Sequence, residues 1–234
     1  MKKITVVIYG APGSGKTIQA DLLSRRENFI LFDIGHFLET TFNDPTNKNN
    51  QEIMEQKKIF DAGGLCDSLW VTALASKKFE EIAKLGENLV LSGSLRTVLE
   101  TFGHEKMKGL LNVLETNYGK ENIFFFFLET KTETSIQRNT ARLLCSVCGR
   151  PVLMDLFKGK PKACPVCGGP LAGRSLDKPE VIKKRLLMFQ SEINPVLEGL
   201  KSKGYKIHSI SGERLPYETN NEIIQILKNE LNKK

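Results

Sequence analysis

Histidine and tryptophan are scarce in this chain of 234 residues, with three of the first and one of the second. His36, His104 and His208 have no clustered partners, which argues against a histidine-built catalytic centre and gives each a structural or surface role. The lone Trp70, with Leu69 and Leu74, lies on a helical pattern that starts at Ser68 and reads as core packing rather than a cofactor box. Long apolar runs are missing too. IFFFFL at 123–128 is far short of the roughly 20 residues of a membrane helix, so no membrane span is expected. The opening MKKITVVIYG carries two lysines, but its apolar run stops at Gly10 without a small-residue cleavage pattern. A signal peptide is therefore not expected, and the expected location is cytoplasmic. There is no internal repeat or low-complexity tract to suggest a solenoid or a disordered tail.

Charge and cysteine are present in informative patterns. Lys and Arg number 34 against 27 Asp and Glu, a net charge of +7. That excess suits either a nucleic-acid surface or arginines gathered around phosphate ligands. Four of the five cysteines form two Cys-x-x-Cys pairs, a pattern that favours metal binding over disulfides in a cytoplasmic chain. Cys66, left over, reads as a small buried hydrophobe.

Apolar segments rich in β-formers recur at 4–9, 28–32, 88–92, 122–128 and 205–210, as expected of strands buried on both faces. Helical patterns lie between them, including 67–86, ended by Gly86, and a stretch begun by Asp177 with Pro179 and Glu180 in its first turn. The alternation predicts an α/β fold, a P-loop NTPase-type parallel sheet flanked by helices. Two segments break it. Residues 33–65 are polar and mixed, and residues 143–176 are rich in Gly, Pro and Cys. Both are expected to be lobes inserted into a core made of 1–32, 66–142 and 177–234.

GAPGSGKT at 10–17 fits GxxxxGK[ST] between an apolar strand and the helical stretch TIQADLLSRR. Its glycines let backbone N–H groups curl around phosphate oxygens, and the helix N-terminus adds positive potential. Gly13, Ser14, Gly15, Lys16 and Thr17 are thus expected to grip a nucleoside triphosphate, with Lys16 neutralising charge and Thr17 available to Mg²⁺. Cys145, Cys148, Cys164 and Cys167 place two thiolate pairs on two tight turns, each followed by Gly. Four thiolates suit a closed, tetrahedral structural Zn²⁺ site. A lobe this small has no core of its own, so the metal would be what folds it.

Together, GAPGSGKTIQA, the late cysteine lobe and the following Arg-x-x-Asp then Arg pattern resemble the adenylate kinase family, in its long-lid, zinc-binding form. The resemblance covers nearly the whole chain. It implies transfer of the ATP γ-phosphoryl group to a nucleoside monophosphate, with ATP–Mg²⁺ and structural Zn²⁺ as cofactors and a monomer as the working unit. Residues 33–65 would then be the monophosphate-binding lobe and 143–176 the lid. On the donor side the resemblance implies Arg138 and Arg142, at i and i+4 on one helix face, as the donor arginines, Arg174 and Asp177 as the lid-exit pattern, and Arg185 eight residues beyond Asp177 on the long helix. It also implies Val152 beside the adenine and a backbone contact at Arg214. Such a set matches the needs of phosphoryl transfer, which are positioning and cationic stabilisation rather than covalent chemistry.

The acceptor side departs from the family pattern. Where the family has Ser-Thr-Gly-Asp and then Arg, this chain has Asp33, Ile34, Gly35, His36 and Glu39; where it has Asp-Gly-Phe-Pro-Arg-Thr, this chain has Ser92, Gly93, Ser94, Leu95, Arg96 and Thr97. Glu100 stands where the family reads adenine with Gln. The resemblance thus implies a substrate site of Ile34, Gly35, Glu39, Gly93, Arg96, Glu100, Arg174 and Arg185, and charge stabilisation by Lys16, Arg96, Arg138, Arg142, Arg174 and Arg185. AMP is the expected acceptor. The rival readings are CMP or another acceptor, a nucleotide-binding scaffold with little transfer activity, and an RNA-binding zinc ribbon. The last lacks interleaved aromatics in the lid, so nucleic acid is not an expected partner.

Overall fold

The structure is a computed structural model that describes residues 3–149, 151–152, 159, 161–173 and 175–233. From the N-terminus the chain runs through β1 (Thr5–Gly10), α1 (Lys16–Glu27), β2 (Phe29–Asp33), α2 (Ile34–Asn43), α3 (Gln51–Asp61) and α4 (Ser68–Lys84). It continues through β3 (Asn88–Ser92), α5 (Val98–Phe102), a two-stranded ribbon of β4 (Gly103–His104) and β5 (Met107–Lys108), α6 (Leu110–Tyr118), β6 (Ile123–Glu129) and α7 (Thr132–Ala141). Then come β7 (Leu143–Cys145), β8 (Pro151–Val152), β9 (Leu171–Ala172), α8 (Pro179–Ser202), β10 (Ile207–Ser211) and α9 (Pro216–Asn232).

Five of these strands form one sheet in the order β10-β6-β1-β3-β2, and all four pairings are parallel. All five expected strands are present within one or two residues of their sequence bounds. The period-2 alternation of each strand sends its side chains to two different cores. Val7 and Tyr9 of β1, Leu89 and Leu91 of β3 and Phe125 of β6 join the larger cluster with residues of α2, α4, α6 and α8. Val6, Ile8, Val90, Phe124 and Phe126 join the other, with residues of α1 and α9. Burial on both faces is why the strands read as unbroken apolar runs.

The helices start where their local chemistry places them. Asp67 caps α4 by accepting from the N–H groups of Leu69 and Trp70, and Phe79 of that helix meets Phe32 edge-on at 5.2 Å. Asp33, the last residue of β2, caps α2 by accepting from the His36 N–H at 3.1 Å. Ile34, Leu38 and Phe42 of α2 are buried, and Phe42 stacks on Trp70 with ring centroids 6.0 Å apart. The first part of the polar-looking 33–65 segment therefore packs into the core. One helix start differs from expectation: α8 begins after Lys178, and Asp177 is engaged elsewhere.

β7, β8 and β9 form a separate three-stranded antiparallel sheet that brings the two Cys-x-x-Cys turns together. The C-terminal ends of the five parallel strands, Gly10, Asp33, Ser92, Glu129 and Ser211, open on one side of the large sheet, where open α/β sheets bind ligands.

Candidate active site

The loop from β1 to α1 needs its glycines. Gly13 and Gly15 have φ of 83° and 97°, left-handed values that a side chain resists. At Gly13 an added Cβ would also lie 2.4 Å from Nδ2 of Asn139. Below this loop Lys16 folds back, its Nζ donating to the carbonyls of Gly10 at 2.7 Å and Ala11 at 2.9 Å. Burial pushes the Lys16 ammonium down to about 7. Arg185, Arg96 and Arg142 add to that fall, and Asp33 opposes it. A polyphosphate arriving among these cations would reverse the balance. The next residue, Thr17, donates through Oγ1 to Asp33 Oδ2 at 2.7 Å and lies 3.1 Å from the Ser92 hydroxyl. Three oxygen-bearing side chains from three elements meet there, a donor set that fits a hard cation such as Mg²⁺.

Arg96, Arg138, Arg142 and Arg185 line the same cleft as Lys16, a space of about 1430 Å³. That exceeds the roughly 300–1,000 Å³ of a single small-molecule site. Arg138, in the last turn of α7, donates to the Gly212 carbonyl at 2.7 Å. Arg142 is not on the helix with it: α7 ends at Ala141, and Arg142 has the extended dihedrals φ −65° and ψ 131°. Its guanidinium forks onto Asp177, Nε to Oδ2 at 2.9 Å and Nη2 to Oδ1 at 2.6 Å. This clasp joins the two chain segments that lead to and from the cysteine-bearing sheet. Asp177 is buried and does not face the cleft. Val152 is buried and lines the cleft, and Arg214 lines it beyond β10 while pairing with Glu222. Arg174 lies outside the described residues.

Arg96 sits on a tightly held loop. Leu95 before it has φ 57°, costly for a leucine, and its side chain is fully buried. The loop is tied down by Thr101 Oγ1 donating to the Leu95 carbonyl at 3.1 Å and by the Arg96 N–H donating to Glu100 Oε2 at 2.8 Å. Glu100 is 1 % exposed, and burial raises its carboxyl above the usual range although Arg96 opposes this.

The sulfurs of Cys145, Cys148, Cys164 and Cys167 all lie within 4.8 Å of one another, close enough to share one metal ion. The N–H groups of Cys148 and Val147 each donate to Cys145 Sγ at 3.4 Å, and this stabilisation of the thiolate lowers Cys145 to about 6. Cys66 is buried apart from the cluster, in the loop between α3 and α4, with its thiol directed at the Gln56 carbonyl.

No protein-family profile matches the chain. Curated relatives do. An adenylate kinase of Caldicellulosiruptor saccharolyticus is 28% identical over 225 residues, covering 95% of this chain and 98% of the relative. One of Pyrococcus horikoshii is 27% identical over 202 residues, 86% of each, and one of Listeria monocytogenes serotype 4b is 30% identical over 212 residues, 89% of this chain and 92% of the relative. The chain belongs to the adenylate kinase family.

Set against the adenylate kinase pattern, the cleft wall holds Ile34, Gly35, His36, Glu39, Ser92, Gly93 and Arg96, while Glu100 is not on it. Glu100 points inward to its own loop, so a substrate contact by its side chain is not what this geometry provides. Sequence reasoning chose only Arg185 from α8, yet Met188, Phe189, Glu192 and Ile193 line the cleft beside it. Their spacing of three, four, seven and eight from Arg185 is the signal that could have found them. It also missed Asn139, which lines the cleft and packs against Gly13. Among the described residues no helix is long and apolar enough to cross a membrane.

Proposed function

We propose that the chain is a nucleoside monophosphate kinase that transfers the γ-phosphoryl group of ATP reversibly to AMP. The observation that carries this reading is the meeting of Lys16 with Arg96, Arg138, Arg142 and Arg185 in one cleft, because four arginines from the loop after β3, from α7, from its end and from α8 have no shared structural reason to converge. In this reading Gly13, Ser14, Gly15, Lys16 and Thr17 hold the donor phosphates, and Val152 and the Arg214 backbone flank the donor base. Arg138, Arg142 and Arg174 neutralise charge on the donor side. Asp177 serves indirectly, by aiming Arg142. Arg96 and Arg185 hold the acceptor phosphate between the two halves of the cleft, and Ile34, Gly35 and Gly93 form its floor.

No side chain acts as a nucleophile. A phosphate oxygen of the acceptor attacks the γ-phosphorus in line while the bond to the β–γ bridging oxygen breaks, and the arginines stabilise the equatorial oxygens as charge redistributes. Thr17 would hold Mg²⁺, which would neutralise charge on the donor phosphates. The four cysteines hold a structural Zn²⁺, for which four thiolates and no open position are the usual chemistry.

Glu39 favours a second reading in which the acceptor is CMP or another molecule. It lines the cleft where the adenylate kinase pattern carries an arginine, and a carboxylate there repels a phosphate. Incubation of the protein with ATP, Mg²⁺ and a panel of nucleoside monophosphates, with products resolved, separates the readings. ADP formed from AMP supports the first. Transfer only to CMP or to another acceptor supports the second, and ATP binding without transfer points to a scaffold.

A further inference from the structure

P-loop enzymes commonly hold the Mg²⁺ of the bound nucleotide with the loop Ser/Thr hydroxyl and an acid at the end of a neighbouring strand. In this chain the strand that pairs directly with β1 on that side is β3, and it ends in Ser92, a neutral residue that is 2 % exposed. The acid lies one strand further out. In the β2–β3 register Asp33 pairs with Ser92, and it is the Asp33 carboxylate that accepts from the Thr17 hydroxyl at 2.7 Å.

We propose that Asp33, at the end of β2, is this chain's carboxylate for the Mg²⁺ of the donor nucleotide, acting with Thr17 in place of an acid at the end of β3. This rests on the donor-site reading above. Three features support it. Asp33 is fixed from two directions, one oxygen receiving the Thr17 hydroxyl and the other the His36 N–H at 3.1 Å, so its position is set without the ion. It lines the cleft and lies close enough to Lys16 to act on its charge. Thr17 and Ser92 supply further oxygens beside it, and a small hard cation that keeps several waters takes only one or two carboxylates from the protein. The other carboxylates on the cleft wall, among them Asp21, Glu39, Glu192 and Glu213, have no hydrogen bond to Thr17 among the described residues.

The test measures ATP binding calorimetrically, once with Mg²⁺ and once with a chelator, for the wild-type chain, Asp33→Asn and Asp33→Ser. Both replacements retain an oxygen that can cap α2, so each reports on the ion rather than on the helix, and melting temperatures identify any variant that fails to fold. In the wild type, Mg²⁺ tightens ATP binding. In the variants that gain falls about tenfold or more, on the scale of other lost metal-supporting groups, while ATP binding in chelator stays equal or tightens because a negative charge beside the phosphates has gone. An undiminished Mg²⁺ gain in a folded variant overturns the assignment of Asp33 alone. If the wild type binds no ATP under either condition, the donor-site reading falls and this inference with it.

Discussion

The Arg142–Asp177 clasp can be sized from its geometry. Two short, parallel N–H···O bonds at 2.9 and 2.6 Å join a carboxylate that is 5% exposed to a guanidinium that is 23% exposed. With charge centres about 4 Å apart, the attraction is about 4 kcal/mol at an effective dielectric of 20 and about 1 kcal/mol in water. The arginine is open enough to solvent to draw the value down, so a coupling of about 2 kcal/mol is expected. Removing the acid alone costs more, about 3 kcal/mol, because the arginine is left half-buried without its partner. The assay is a double-mutant cycle of Arg142→Met, Asp177→Ala and both together, read by urea unfolding with Zn²⁺ present. Each single variant should be destabilised, and the double should recover about 2 kcal/mol relative to the sum. High salt should change this little, because the pair is partly shielded from counterions. A coupling below about 0.5 kcal/mol, or one abolished by salt, would refute the view that this pair holds the neck of the cysteine-bearing sheet.

Two further outcomes follow. Glu39→Arg removes a repulsion of about 1 kcal/mol on the acceptor phosphate and adds an attraction of similar size, so KM for AMP should fall roughly 30-fold while KM for ATP holds; an unchanged KM for AMP would move Glu39 out of the acceptor site. Titration with a mercurial should release one zinc ion per chain, and stripped protein should become protease-sensitive between residues 143 and 173 while keeping the far-ultraviolet signal of the large sheet. Release of no metal would remove the structural-zinc reading.

The parts of this molecule that were legible in its sequence are those whose physics is local. An apolar run such as ITVVIY needs no partner to announce a strand buried on two faces, and GAPGSGKT carries its own turn geometry. Spacing within each Cys-x-x-Cys pair likewise sets two sulfurs on one tight turn, and the four sulfurs meet within 4.8 Å of one another. The harder features depend on where an element stops or on what lies across the fold. Spacing put Arg138 and Arg142 on one helix face, but α7 ends a residue before Arg142, and periodicity alone does not fix a helix end to within one or two residues. Asp177 beside Pro179 resembled a helix cap, yet its carboxylate is engaged by an arginine 35 residues away. Glu100 occupied a base-reading place in the family pattern, but the left-handed Leu95 before it created an inward-facing N–H, on Arg96, that this acid satisfies. The link between Thr17 and Asp33 spans 16 residues and joins a helix to the end of a strand, so no periodicity could display it.

The clasp also has a consequence for chain length. By joining positions 35 residues apart, it turns everything beyond it into a closed loop, and the entropy of closing a loop rises only with the logarithm of its length. Doubling the intervening segment would cost only about 0.6 kcal/mol in closure entropy. Insertions and deletions between Arg142 and Asp177 should therefore be tolerated by the parallel sheet wherever they leave the two cysteine turns able to meet.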